Sequence, residues 1–265
     1  MAPPADGDAR WVPALLLSTT LLGGCKQAAT VSHEPVRVAA AADLTLAFEE
    51  LGGIFEARTG HKVSLSFGAS GALAKQLSQG APFDLFAAAN SSFVDDAVKA
   101  GACDGATKAL YARGHIVIWT RAEGPGVRSL SDLASPEIKR ISIANPEHAP
   151  YGKAAREALG KAGLWPAVEA KIVQAENVRQ ALQFAETGNV DAAIVALSLV
   201  AQNEHGQQLA VDPTLHAPIN QTLVVCRHGK NESGARAFAQ LVESSEGQAL
   251  LQRYGFGGSG EQVAQ

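Results

Sequence analysis

From Val36 onward, short apolar runs alternate with stretches whose apolar residues recur at helical spacing. This is the pattern of βαβ units, and it confines the chain to an α/β architecture built on a largely parallel sheet. Residues 36–40 read as a first strand. Residues 43–59 follow as a helix, with Leu44, Phe48, Leu51 and Phe55 on one face and Gly60 placed to cap its end. Residues 62–67 alternate strictly, Val63, Leu65 and Phe67 against Lys62, Ser64 and Ser66, which predicts a strand with two unlike faces. Gly68-Ala69-Ser70-Gly71 turns into a second helix that ends at Gly80. A buried strand at 84–89, a short helix at 93–100 and a fourth strand at 116–119 complete this half. Beyond Glu123-Gly124-Pro125-Gly126 the theme repeats. Strands at 141–144, 171–174 and 192–195 alternate with helices at about 151–160 and 177–187. A β-rich run at 222–226 and one closing helix over 235–254 finish the chain.

The one continuously apolar run, residues 11–24, is too short for a standard membrane-spanning helix. It stands behind Arg10 and ends in Leu22-Gly23-Gly24-Cys25, so residues 1–24 read as a secretory signal. The ending resembles a lipobox, in which the cysteine is lipidated and becomes the first mature residue; the alternative is an ordinary signal peptide with an incidental cysteine. Cys25 is therefore the expected lipidation site and residues 25–34 a tether. Such an anchor holds a domain at a membrane surface without spanning it.

The chain carries 22 Lys and Arg against 26 Asp and Glu, which argues against a nucleic-acid partner. An anionic ligand stays open, because backbone N–H groups bind anions without any net positive charge. Cys103 and Cys226 could form a disulfide in an oxidising envelope or remain two buried thiols. The seven histidines are scattered and no C-x-x-C occurs, so no metal-ligand cluster is expected.

Three strand-to-helix junctions carry the candidate chemistry: Ala41-Ala42-Asp43, Gly68-Ala69-Ser70-Gly71 and Pro150-Tyr151-Gly152. The first N–H groups of a helix lack internal partners and sit at the positive end of its dipole. In open α/β sheets ligands bind at the carboxyl ends of strands, where these junctions lie. Each alone is also an ordinary helix start. Gly68-Ala69-Ser70-Gly71-Ala72 misses the G-x-S-x-G nucleophile elbow, because its glycine comes one residue early. Glu147-His148 and Glu49-Glu50 read as solvated groups rather than acid–base pairs.

Several segments together resemble one family. Ala40-Ala41-Ala42-Asp43-Leu44-Thr45, the run from Ser66 to Gln76, and Gly80-Ala81-Pro82-Phe83-Asp84-Leu85-Phe86 are similar to the periplasmic molybdate-binding proteins of ABC importers. Asn145–Gly152, Glu176-Asn177-Val178-Arg179 and the ending Arg253-Tyr254-Gly255-Phe256 continue the likeness in the same order. The resemblance implies a two-lobed periplasmic-binding-protein fold of type II, each lobe a mixed sheet flanked by helices, with two crossover strands. Lobe one would be 35–114 plus 222–257, lobe two 115–221, and 258–265 a disordered tail.

The resemblance also implies a binding protein rather than an enzyme, with no cofactor and with molybdate or tungstate as ligand. An ABC permease would be its partner, and a monomer its state. It would work in the cell envelope, in the periplasm or at the outer face of the cytoplasmic membrane. Its oxyanion ligands carry over to Ala42, Asp43, Ser70, Tyr151 and Val178, with Ser70 giving hydroxyl and amide, and Tyr151 its amide and a further phenol donor. Another oxyanion, or a ligand-sensing lipoprotein, are the alternative readings. Two positions depart from the family. Ala196 stands where some members place a pocket tyrosine, a loss that Tyr151 compensates. Asp43 stands where many have Ser or Asn, and a carboxylate beside a dianion is repulsive unless turned away or protonated. Asp43 is expected to cap its helix and point off the anion.

Overall fold

In the computed structural model, which describes residues 34–203, 205–258 and 260, each apolar run of the sequence takes its place in one of two sheets. The signal, Cys25 and nearly all of the tether lie outside the described residues. The first half holds β1 (Val36–Ala41), α1 (Thr45–Thr59), β2 (Val63–Gly68), α2 (Ser70–Ser78), β3 (Leu85–Ala88), α3 (Ser91–Lys99) and β4 (Ala109–Gly114). The second holds β5 (Ile116–Arg121), β6 (Ile141–Ala144), α4 (Pro150–Lys161), α5 (Trp165–Val168), β7 (Ile172–Ala175), α6 (Val178–Glu186), β8 (Ala192–Ala196) and β9 (Gly206–Ala210). The chain closes with β10 (Ile219–Val225), α7 (Glu232–Glu243), α8 (Ser245–Arg253) and β11 (Gly257–Gly258).

The first sheet runs β11-β4-β10-β3-β1-β2 and the second β7-β6-β8-β5-β9. Both are mixed on the same plan. β1 lies parallel to β2 and β3, and β6 parallel to β7 and β8. β10 and β5 then join their sheets antiparallel. Because the central strand of each parallel set has neighbours on both sides, the helices that follow start at a shared point above the strand ends.

Local sequence explains most of these elements. Phe48, Leu51 and Phe55 of α1 are buried, and Phe48 and Phe55 both meet the Phe238 ring of α7 edge-on, with centroids 5.7 and 5.4 Å apart. Gly60, at φ +71°, ends α1 by donating its N–H to the Glu56 carbonyl. β2 is an edge strand with Val63, Leu65 and Phe67 half-buried and Ser64 and Ser66 exposed, as the alternation predicts.

Several features differ from the sequence-based expectation. β4, β9 and β11 are additional strands, so Gly258 lies in a strand and not in a tail; α5 is an additional helix, and the closing helix is two helices. It breaks at Ser244, whose hydroxyl accepts the Gly247 N–H and starts α8. The chain passes between sheets at 115, but it returns between β9 and β10, before Ile219, whereas the return was expected near Thr222. β10 pairs with β4 from Ile219 onward, so Gln221 belongs to the first sheet. Cys103 and Cys226 form a disulfide.

Candidate functional site

The three predicted junctions meet. Ala41, Ala42 and Asp43 at the end of β1, Gly68, Ala69 and Ser70 at the end of β2, and Pro150 and Tyr151 after β6 line one cleft, together with Asn177 and Val178 at the start of α6. Its volume is about 10 Å³, room for about one water molecule. A tetrahedral oxyanion is larger, so admitting one requires the two lobes to part. Among the described residues, no Lys, Arg or His lines the cleft.

Each helix start brings a short, defined set of donors. In α2 the first internal bond runs from Leu73 N–H to the Ala69 carbonyl, so the amides before it face outward. Gly71 N–H is taken by the His148 carbonyl at 2.9 Å, which crosses from one lobe to the other. Ser70 Oγ accepts the Ala89 N–H at 3.1 Å and keeps its own proton to donate. In α4 the first internal bond is Lys153 N–H to Ala149, and Pro150 has no N–H, which leaves the Tyr151 and Gly152 amides at the helix end. In α6 the Asn177 side chain takes the Arg179 and Gln180 N–H groups at 3.1 and 3.0 Å. Val178 N–H is the first-turn donor that remains.

Asp43 does not behave as expected. A 3-10 turn, Ala42–Leu44, precedes α1, so the helix starts at Thr45 with Leu44 at its N-cap and no side-chain cap. That extra turn moves Asp43 off the capping position. Its carboxylate is buried instead, where Oδ2 accepts from the Tyr151 hydroxyl at 3.0 Å and from Gln221 Nε2 at 2.6 Å. Oδ1 is buried without a partner. Burial pushes the Asp43 carboxyl up to about 7, against the lowering effect of Tyr151, of its own backbone N–H and of Gln221. Tyr151 is also corrected, because its single phenol proton goes to Asp43 rather than toward the cleft. The phenol fits against Gly114, where a Cβ would come within 2.1 Å of its oxygen.

Three residues of this arrangement were not anticipated. Ser198 donates to the Asp43 carbonyl at 2.8 Å, so lobe two holds both the backbone and the side chain of Asp43. Gln221 and Tyr111 form the floor behind it, Tyr111 reaching Gln221 Oε1 at 3.5 Å. Gln221 had a legible signal, a polar residue at the start of an apolar strand; Tyr111 lies in a strand that was not foreseen. Of the minor candidates, Glu147 is exposed and pairs with Arg156 at 3.8 Å, and Glu50 accepts from Arg253 and Tyr254. Ser70 Oγ meets the Ala89 amide and not a histidine.

A two-lobed α/β chain with helix starts from both lobes at one cleft has the build of a protein that closes on a small solute. The chain belongs to the bacterial extracellular solute-binding proteins, whose family model matches residues 36–257. This is a family of solute binders, not of enzymes. The molybdate-binding protein ModA of Rhodobacter capsulatus is 34% identical over 83% of this chain and 87% of its own length. The protein of the same name from Azotobacter vinelandii is 34% identical over 89% of this chain and 95% of its own. A Bacillus subtilis protein, YvgL, described as a candidate ABC transporter substrate-binding lipoprotein, is 35% identical over 92% of this chain and 95% of its own. Among solved structures, the periplasmic molybdate-binding protein of Azotobacter vinelandii superposes with a TM-score of 0.78 at 28% identity, covering 83% of this chain and 98% of that one.

Proposed function

We propose that this protein captures molybdate, and tungstate with it, in the cell envelope and delivers it to the permease of an ABC importer. The observation that carries the reading is the meeting of helix starts from both lobes at a cleft that no cationic side chain among the described residues lines. Relatives named as molybdate-binding proteins, similar along most of their length, supply the ligand class. In this reading the amides of Ala42, Asp43, Ser70, Tyr151 and Val178 and the Ser70 hydroxyl form the anion's shell. Closure is favoured because only the closed form presents donors from both lobes at once. One chain supplies the whole set, which suits a monomer.

Neutral donors at fixed positions select by size, since each needs an acceptor at hydrogen-bond distance. Molybdate and tungstate are alike in size and are expected to bind alike, while the smaller sulfate leaves donors unpaired. Thermal melts with each anion test this. Ligand at 100 times its Kd stabilises the folded state by about 2.7 kcal/mol. A melting temperature raised by sulfate as much as by equimolar molybdate rejects the reading.

We further propose that Cys25 carries the lipid that keeps the protein at the membrane, on the strength of Leu22-Gly23-Gly24-Cys25 ending the apolar run. The mature protein is expected to begin at Cys25 and to fractionate with membranes, and Cys25→Ala is expected to release it. A wholly soluble protein with Cys25 intact would refute the anchor.

A further inference from the structure

Among the described residues, Asp43 is the one ionisable side chain that lines the cleft, apart from the Tyr151 phenol. Its neighbours offer no positive charge. α4 brings the Tyr151 phenol, β10 the Gln221 amide, β4 the Tyr111 phenol and the turn after β8 the Ser198 hydroxyl. Burial holds both phenols well above their usual range, so both are neutral. Two donors converge on Oδ2, whereas Oδ1, equally buried, has none. An ionised carboxylate needs acceptor contacts satisfied at both oxygens, and this site satisfies one. A dianion brought into the same closed cleft adds like charge with no cation to offset it.

The proton resolves both mismatches. We propose that Asp43 takes up one proton from solvent as the cleft closes on a tetrahedral dianion, so that Oδ1–H becomes a donor in the anion's shell and the proton leaves with the anion on opening. The inference rests on the oxyanion reading above and adds a stoichiometry to it. Oδ2 keeps its acceptor role toward Tyr151 and Gln221 in either protonation state, so the Tyr151 bond between the lobes survives the uptake. The raised carboxyl of the closed form agrees in direction. A serine or asparagine at this position would present a neutral donor without any proton exchange.

The test is calorimetric titration of the full mature chain with sodium molybdate at pH 8, in two buffers of different ionisation enthalpy. Uptake approaching one proton per molybdate is expected, with the affinity falling about tenfold per pH unit above pH 8, as linkage requires for one proton. Asp43→Asn puts an amide donor where Oδ1–H would stand, and it is expected to bind molybdate with no uptake and a flat pH profile. Asp43→Ser, neutral and smaller, is expected to lose the uptake as well. Molybdate binding by the unmodified protein without proton uptake overturns this inference and leaves the oxyanion reading standing, as does an unchanged uptake in Asp43→Asn. Absence of molybdate binding at every pH overturns both.

Discussion

Replacing Gly71 with alanine is expected to weaken molybdate binding by about 5- to 150-fold, with both lobes still folded. Gly71 is where the lobes come closest at the mouth of α2. Its N–H donates to the His148 carbonyl at 2.9 Å. A Cβ at this position would stand 2.8 Å from His148 Cβ, 3.0 Å from the His148 carbonyl oxygen and 3.0 Å from the Phe93 ring. Two of those three atoms belong to or adjoin the backbone of the opposite lobe, so they cannot swing aside as a side-chain tip could. The lobes must stay apart by a few tenths of an ångström or α2 must shift. Overpacking of this kind costs about 1–3 kcal/mol, and the part of it due to His148 falls on the closed form alone, while Phe93, on the same lobe as Gly71, is a ring that can turn in either form. The apparent affinity drops by the fraction of closed protein lost, which for that energy is the range given. Valine at the same position is expected to do more. Calorimetric titration measures the loss, and an unchanged melting temperature without ligand shows that the lobes are intact. Wild-type affinity in Gly71→Ala would mean that binding does not need this approach.

The fold was legible where one principle decided the structure. The apolar runs at 36–40, 141–144 and 192–195 read as strands, and they are, each parallel to at least one neighbour. β4 was hidden because Arg113 and its two alanines give a run neither continuously apolar nor alternating, and its burial comes from lying between β10 and β11. α7 and α8 share one helical pattern, so only the capping chemistry of Ser244 and Gly247 marks the break. At the site, the three junctions were identifiable as helix starts, but their meeting depends on two sheets packing across a cleft, which no local pattern encodes. Asp43 shows the limit most clearly. An Asp before a helical run predicts a cap, and the inserted 3-10 turn spends that residue on contacts with Tyr151, 108 positions away, and Gln221, 178 positions away.

Loss of the Cys103–Cys226 disulfide is expected to be the largest single blow to stability, about 2–5 kcal/mol. The bond closes a loop of 123 residues, and in the chain-entropy view such a loop, once freed, lets the unfolded chain gain as much as about 4.7 kcal/mol. The loop contains the whole of the second sheet, since Cys103 precedes β4 and Cys226 follows β10. The two passages between the lobes leave and re-enter the first lobe at the Gly114/Ile219 end of the β4–β10 pair, and the covalent tie lies at its other end. Backbone contacts at that point repeat the constraint. The two cysteines form a β-bridge, Asp104 N–H donates to the Val225 carbonyl at 2.8 Å, and Arg227 N–H donates to the Ala102 carbonyl at 2.8 Å. Because these hydrogen bonds persist without the sulfur link, the native state should keep its shape below its lowered melting point. Cys103→Ala/Cys226→Ala, or the wild-type chain in strong reductant, is thus expected to unfold at markedly lower denaturant, yet to bind molybdate with near-native affinity at 10 °C. The cleft residues lie on other strand ends, so binding and stability should separate. Denaturant titration of the oxidised and reduced chains measures the difference. Equal midpoints would show that the tie contributes nothing beyond the hydrogen bonds around it, and lost binding in a folded double variant would show that it also positions the lobes.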